Sequence, residues 1–198
     1  MDLLVVGLGN PGAEYAGTRH NIGADAVELL VARHHGALSA EKGLHARAGT
    51  VRIGDRTVLC AVPLVYMNDS GQAVAPLVRR AGIDEPTDGT AATSRLVIVH
   101  DELDLPSGRV KVKVGGGTAG NNGLKSVHAH LHTGDYLRVR IGIGKPPGRQ
   151  PGADYVLKRP GKDEREALGV AAELAADAVE LIAALGPEAA MNRVNTAG

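Results

Sequence analysis

An unbroken apolar run, Leu3-Leu4-Val5-Val6, passes directly into a loop of fifteen residues, GLGNPGAEYAGTRHN, over Gly7–Asn21. A strand without polar alternation reads as buried on both faces, the condition of a central strand in an α/β sheet. A loop at its carboxyl end lies where open α/β sheets bind their ligands. The loop sets Asn10, Tyr15, Arg19, His20 and Asn21 among glycines and a proline, so side chains capable of chemistry stand on a backbone that turns sharply.

Gly7, Gly9 and Gly12 spell G-x-G-x-x-G after that strand, the pattern of a dinucleotide-binding turn. Such a turn needs a helix to open within the motif so that its N–H groups meet the pyrophosphate. Here Pro11 interrupts the glycines, and helical spacing begins only near Asn21, with Ile22, Ala26, Leu29 and Leu30 inside and Arg33 outside. The glycines are better read as a turn presenting Asn10 and His20. A nucleotide-binding oxidoreductase is the alternative from another class.

The length of 198 residues suggests one domain, residues 1–198, with a core that needs neither disulfide nor metal. With no Phe, no Trp and four Tyr, that core must be aliphatic. Cys60, the single cysteine, lies in the apolar run Val58–Val62 and reads as a small buried hydrophobe. No disulfide within the chain is possible, which fits a reducing cytoplasm. Asp2 and the short first apolar run predict no signal peptide. No stretch approaches a membrane span, so no membrane partner is expected. Net charge is zero, so any polyanion must meet a local patch.

Further along, residues 44–54 and 56–63 read as two strands joined at Gly54-Asp55 and ended by Pro63. Asn68 then lies at a second strand-to-helix junction, before a helix through about Arg80 that Asp69 or Ser70 is expected to cap. Residues 84–94 read as a polar surface insert. Leu96–Val99 is a buried strand ending in His100-Asp101-Glu102-Leu103-Asp104, where Asp101 is the acid expected to be functional. Residues 109–114 alternate basic and apolar as a strand with one charged face. The glycine-rich Gly115–Gly123 leads into a helix from Leu124 to about His132. Residues 137–143 form another strand with Arg138 and Arg140 on one face, Tyr155-Val156-Leu157 is a short apolar segment, and Lys162–Leu185 is a long amphipathic helix stopped by Gly186-Pro187.

Between Ser107 and Gln150 stand eight Lys and Arg against Asp135 alone, an excess of seven positive charges. Phosphate binding is the natural inference. With so few aromatics, recognition through backbone phosphate and shape is favoured over base stacking.

A histidine with an orienting aspartate and no evident Ser or Cys nucleophile suggests general-base activation of water. The carboxylate would fix the imidazole tautomer, and the amides of Asn10, Asn68 and Asn122 would hold a peptide-like substrate and a developing oxyanion. A metal site would have to draw on His128, His130 and His132, but no Glu follows the first His and no third ligand is apparent. They read as surface residues of a helix end, and neither metal nor other cofactor is expected.

Taken together, GLGNPGxxYxxTRHNxG (Gly7–Gly23), PxxYMNxSG (Pro63–Gly71), HDELDLPxG (His100–Gly108), GGGxxGxNGLKS (Gly115–Ser126) and YxRVRIGIGKPPG (Tyr136–Gly148) resemble the bacterial peptidyl-tRNA hydrolase family. The resemblance spans essentially the whole chain with the motifs in the family's order. It implies a monomeric α/β fold with a mixed, mostly parallel sheet flanked by helices, acting on the ester between a peptide and the terminal ribose of tRNA. By the same resemblance His20 is the general base, Asp101 its orienting partner and Asn10 the group that positions carbonyl and base. Tyr15, Met67, Asn68, Asn122 and Gly120 belong to the substrate cleft, and Lys111, Lys113 and Arg140 to acceptor-stem phosphates.

The chain departs from the family pattern at Asn121, where histidine is common, at Ala119, where glycine is usual, and at Tyr66, where phenylalanine is common. The first two touch the substrate loop. They keep open a paralogue with another acyl-tRNA as substrate or with acyl transfer to an amine as its reaction, while an RNA-binding module without catalysis would leave the His20 and Asp101 pair unexplained.

Overall fold

The computed structural model describes residues 1–84 and 92–197. Among them seven strands form one sheet. β1 (Leu3–Gly7) lies between β4 (Arg56–Pro63) and β5 (Leu96–Glu102), and β7 (Leu137–Gly142) follows β5, all parallel. β3 (Ala46–Ile53) and then β2 (Ser39–Glu41) add antiparallel beyond β4, and β6 (Val110–Val114) adds antiparallel beyond β7. The sheet is thus parallel in its centre and antiparallel at both margins. Most of the polar insert expected at 84–94, residues 85–91, lies outside the described residues.

Helices α1 (Ile22–Arg33), α5 (Lys162–Leu185) and α6 (Pro187–Thr196) cover one face, and α2 (Ser70–Ala81) and α3 (Asn122–Leu131) the other. The core is aliphatic but for the rings of Tyr136 and Tyr155, which the expectation of a purely aliphatic core left out. Cys60 is fully buried within it, and burial pushes its thiol up to about 12, which leaves it inert.

Three local features differ from the sequence reading. Tyr155 and Val156 belong to a short helix, α4 (Gly152–Val156). Gly186-Pro187 ends α5, yet Pro187 also opens α6, because a first-turn proline gives up no hydrogen bond. Neither Asp69 nor Ser70 caps α2 through its side chain. Instead the Ser70 hydroxyl donates to the Met67 carbonyl at 2.7 Å, and the Gly71 N–H donates to Ser126 Oγ of α3 at 2.9 Å, so the neighbouring helix satisfies this end.

Strand parity sorts the side chains that reach the sheet's carboxyl edge. On β5, Val97 and Val99 pack under α1 and α5, whereas Leu96 and Ile98 pack under α2 and α3. The alternation carries Asp101 to the α1 face and sends His100 and Glu102 to the α3 face.

Helix α1 then starts in backbone contact with the sheet. A Cβ on Gly7 would stand 2.3 Å from the Gly23 carbonyl oxygen, and one on Gly23 would stand 2.2 Å from the Val99 carbonyl oxygen. Leu8 N–H donates to Val99 O at 3.0 Å and Ala24 N–H to Leu8 O at 3.1 Å. This first-turn N–H of α1 is spent on the β1 loop rather than left for a pyrophosphate, so Gly7 and its companions serve packing and not a dinucleotide.

Candidate active site

The close seat of α1 brings His20 to Asp101. His20 lies in the 3-10 turn Arg19–Asn21 that precedes α1, and its Nδ1 stands 2.8 Å from Asp101 Oδ2. Both residues are buried, at 8 % and 3 % exposure. A carboxylate accepts and does not donate, so the proton on this contact belongs to His20 Nδ1, which leaves Nε2 of the neutral ring with a free lone pair. The turn is pinned from behind by Arg19. Its guanidinium pairs with Glu164 of α5 through two 2.7 Å bonds, reaches the carbonyls of Tyr155 and Lys158, and lies 4.0 Å over the Tyr155 ring. Arg19, singled out in the sequence only as part of the loop, thereby ties the His20 turn to α4.

Two hollows meet at His20. One, of about 440 Å³, is lined by Asn10, Tyr15, Tyr66, Met67 and Asn68. The other, of about 170 Å³, is lined by Asp101, Glu102, Ala119, Gly120 and Asn121. His20, Asn122, Ala153 and Val156 border both. Neither serine nor cysteine is among these lining residues.

Asn10 is fixed at every atom but its amide nitrogen. Its Oδ1 accepts the Met67 N–H at 2.6 Å, its N–H donates to Asn21 Oδ1 at 2.8 Å, and its carbonyl accepts from Asn21 Nδ2 at 2.9 Å. The remaining NH₂ is a donor for the hollow. Asn21 is therefore a brace that the motif contained and the sequence reading gave no role. Met67 is a buried floor, whereas Asn68 and Asn122 are exposed and make no side-chain hydrogen bond among the described residues. Tyr15 and Tyr66 meet edge to face at 6.1 Å on the rim. Of the chain's four tyrosines, the other two are buried in the core.

The glycine-rich segment reaches this edge by an indirect path. β6 runs antiparallel to β7, so Val114 pairs with Leu137 at the opposite end of the sheet. The segment from Gly115 must climb back across the face to deliver Asn121 and Asn122. The Arg138 guanidinium holds it there, donating to the carbonyls of Gly116, Gly117 and Gly134 and contacting His128 Nε2. Although Arg138 counts among the eight cations of the positive stretch, at 3 % exposure it is spent inside the fold and not on a phosphate. His128 is likewise engaged, between Arg138 and the Tyr136 ring, and burial together with the neighbouring guanidinium lowers its pKa. The His128–His132 cluster expected on the surface is so divided: His130 and His132 are exposed, and His130 is held by the Ser126 carbonyl.

The positive stretch is redistributed in the same way. Arg109 donates to the carbonyls of Asn195 and Ala197 on the C-terminal segment. Arg140 pairs with the buried Glu102 at 2.5 Å, so only its remaining N–H groups are left for a phosphate. Lys111 and Lys113 stand on β6 beside Arg140 and Arg138 in register, and neither has an ion pair among the described residues.

Activation of water beside amide donors is hydrolase chemistry, and the fold puts this chain among α/β enzymes that work at the carboxyl edge of a parallel sheet. The chain belongs to the peptidyl-tRNA hydrolase family, whose model matches residues 4–198. It is 48 % identical over 193 residues to the peptidyl-tRNA hydrolase of Mycolicibacterium gilvum, covering 98 % of this chain and 96 % of that one. The Cutibacterium acnes peptidyl-tRNA hydrolase is 45 % identical over 203 residues, with 98 % of both chains covered. The crystal structure of the Acinetobacter baumannii enzyme superimposes with a TM-score of 0.89 at 36 % identity, over 98 % of this chain and 94 % of that chain. The family match and the packing role of the glycines leave the oxidoreductase alternative without support.

Proposed function

We propose that this chain frees tRNA from N-blocked aminoacyl and peptidyl esters, with His20 as the base that removes a proton from water. The observation that carries the assignment is the His20 Nδ1 to Asp101 contact of 2.8 Å, which leaves Nε2 as the acceptor facing the cleft. Water held at Nε2 attacks the ester carbonyl carbon while its proton passes to the imidazole, and Asp101 stabilises the imidazolium that forms. The tetrahedral intermediate then collapses. Its bond to the ribose oxygen breaks, the imidazolium returns the proton to that oxygen, and the products are the peptide acid and tRNA with a free hydroxyl. The Asn10 NH₂ and the unpartnered amides of Asn68 and Asn122 are suited to hold the peptide and to donate to the oxyanion. Tyr15, Met67 and Gly120 shape the cleft around them. Lys111, Lys113 and Arg140 form the path for acceptor-stem phosphates, with Arg140 held at its inner end by Glu102. We assign the working unit to one domain, residues 1–198, acting as a monomer in the cytoplasm without membrane or cofactor; no described helix is long and apolar enough to cross a membrane.

The test is release of labelled N-acetyl-aminoacyl group from tRNA, with unblocked aminoacyl-tRNA alongside. Release from the blocked substrate with little from the free one supports the reading. A folded protein that binds tRNA and releases neither label overturns it.

A further inference from the structure

The acceptor and donor halves of one amide, Asn121, are spent in two different places. Its Oδ1 accepts the Leu124 N–H at 3.1 Å and caps α3. Its Nδ2 reaches Asp101, at 3.3 Å from Oδ1 and 3.4 Å from the carbonyl oxygen. Asp101 Oδ2 is the oxygen that meets His20, so the carboxylate is gripped at both ends: imidazole on one oxygen, Asn121 on the other. Its carbonyl is gripped as well, by His100 Nδ1 at 2.7 Å. The turn before Asn121 is built for this reach. The Asn121 N–H donates to Thr118 O at 2.9 Å, with Ala119 at φ 47 and Gly120 at φ 77, the two positive values of a type I′ turn. The protein thus holds an alanine in a conformation that costs an L-residue about 1–2 kcal/mol at the step that delivers Asn121.

We infer that Asn121 is a positioning residue for the catalytic pair: it locks the rotation of the Asp101 carboxylate, and through it the His20 ring, to the N-terminus of α3. The inference rests on the hydrolase reading for its kinetic consequence but not for its structural one. A neutral amide does this without adding a charge next to Asp101. The other charged groups nearby are already committed, Glu102 to Arg140 and Arg19 to Glu164, and the buried His100 is kept neutral by desolvation.

Two substitutions separate the two halves of the amide. Asn121→Ser keeps a capping oxygen but is too short to reach Asp101, and Asn121→Asp keeps the cap but sets a second carboxylate against Asp101. Titration of the His20 ring by ¹⁵N NMR reads the pair without any need for turnover. The His20 ring titrates at higher pH in Asn121→Asp than in the parent, by about half a unit or more, because added negative charge favours the imidazolium. In Asn121→Ser, kcat falls about tenfold, the scale of one hydrogen bond to a charged group, with KM for N-acetyl-aminoacyl-tRNA and the melting temperature near the parent's. A His20 titration identical in the parent and Asn121→Asp overturns the inference and leaves Asn121 a helix cap. Failure of the hydrolase reading shows separately, as a folded parent protein that releases no label while the His20 signal still moves between the parent and Asn121→Asp.

Discussion

The two walls of the cleft are assembled by opposite means. On the α1 side, helix and sheet touch backbone to backbone, because Gly7 and Gly23 remove the side chains that would hold them apart. On the α3 side, the segment from Gly115 crosses the sheet face and is held down by one buried guanidinium, Arg138, bonded to three carbonyls. The first wall is rigid by contact and carries the reacting His20. The second is strapped by polar bonds and carries Asn121 and Asn122. A site built this way keeps its chemistry on the stiffer element and its substrate loop on the more adjustable one.

The sharpest way to break that contrast is Gly23→Ala. The new methyl would stand 2.2 Å from the Val99 carbonyl, so α1 must lift from β5 and His20 from Asp101. Turnover should fall on the order of 100-fold, the cost of misplacing a catalytic group by about an ångström, with a stability loss of roughly 3 kcal/mol in urea titration. Retained activity would mean that the α1 contact does not set the pair. Arg138→Gln attacks the other wall. Three carbonyls lose a charged donor, and the expected cost is about 3 kcal/mol, with KM rising as the Asn122 loop loosens and kcat falling by no more than the roughly tenfold expected of losing the Asn121 contact. A kcat loss matching that of Gly23→Ala would erase the distinction. Smallest is Ala119→Gly, which relieves the positive φ at the turn. It should stabilise by about 0.5–1 kcal/mol in urea titration, with kcat unchanged if the loop's shape rather than its strain matters.

Much of this was legible in the sequence because it depends on periodicity and turn chemistry. The apolar Leu3–Val6 run lies between two parallel strands as its composition demands, and the spacing of Ile22, Ala26 and Leu30 begins a helix at the observed residue. The pairing of His20 with Asp101 follows from loops at adjacent parallel strand ends, and parity explains why Asp101 and not Glu102 faces His20. What the sequence hid is where cations and amides spend their hydrogen bonds. Arg138 looks like a surface charge until the antiparallel path of β6 requires the glycine-rich segment to cross over it. Arg140 looks free until register sets it beside Glu102. Asn121 reads as a departure from a motif, and only the turn at Ala119-Gly120 shows that its amide has Asp101 within reach. The signal that was available for Arg138 is its position opposite Ile98, on the face that α3 covers.

The most direct test of the central claim is single-turnover hydrolysis of N-acetyl-aminoacyl-tRNA by His20→Ala, with tRNA affinity measured on the same preparation. The rate should be lower by about 10²–10⁴, the contribution of a positioned general base, with affinity within about twofold of the parent. A folded variant that hydrolyses within a few-fold of the parent would contradict it, since the water would then be activated by a group other than His20.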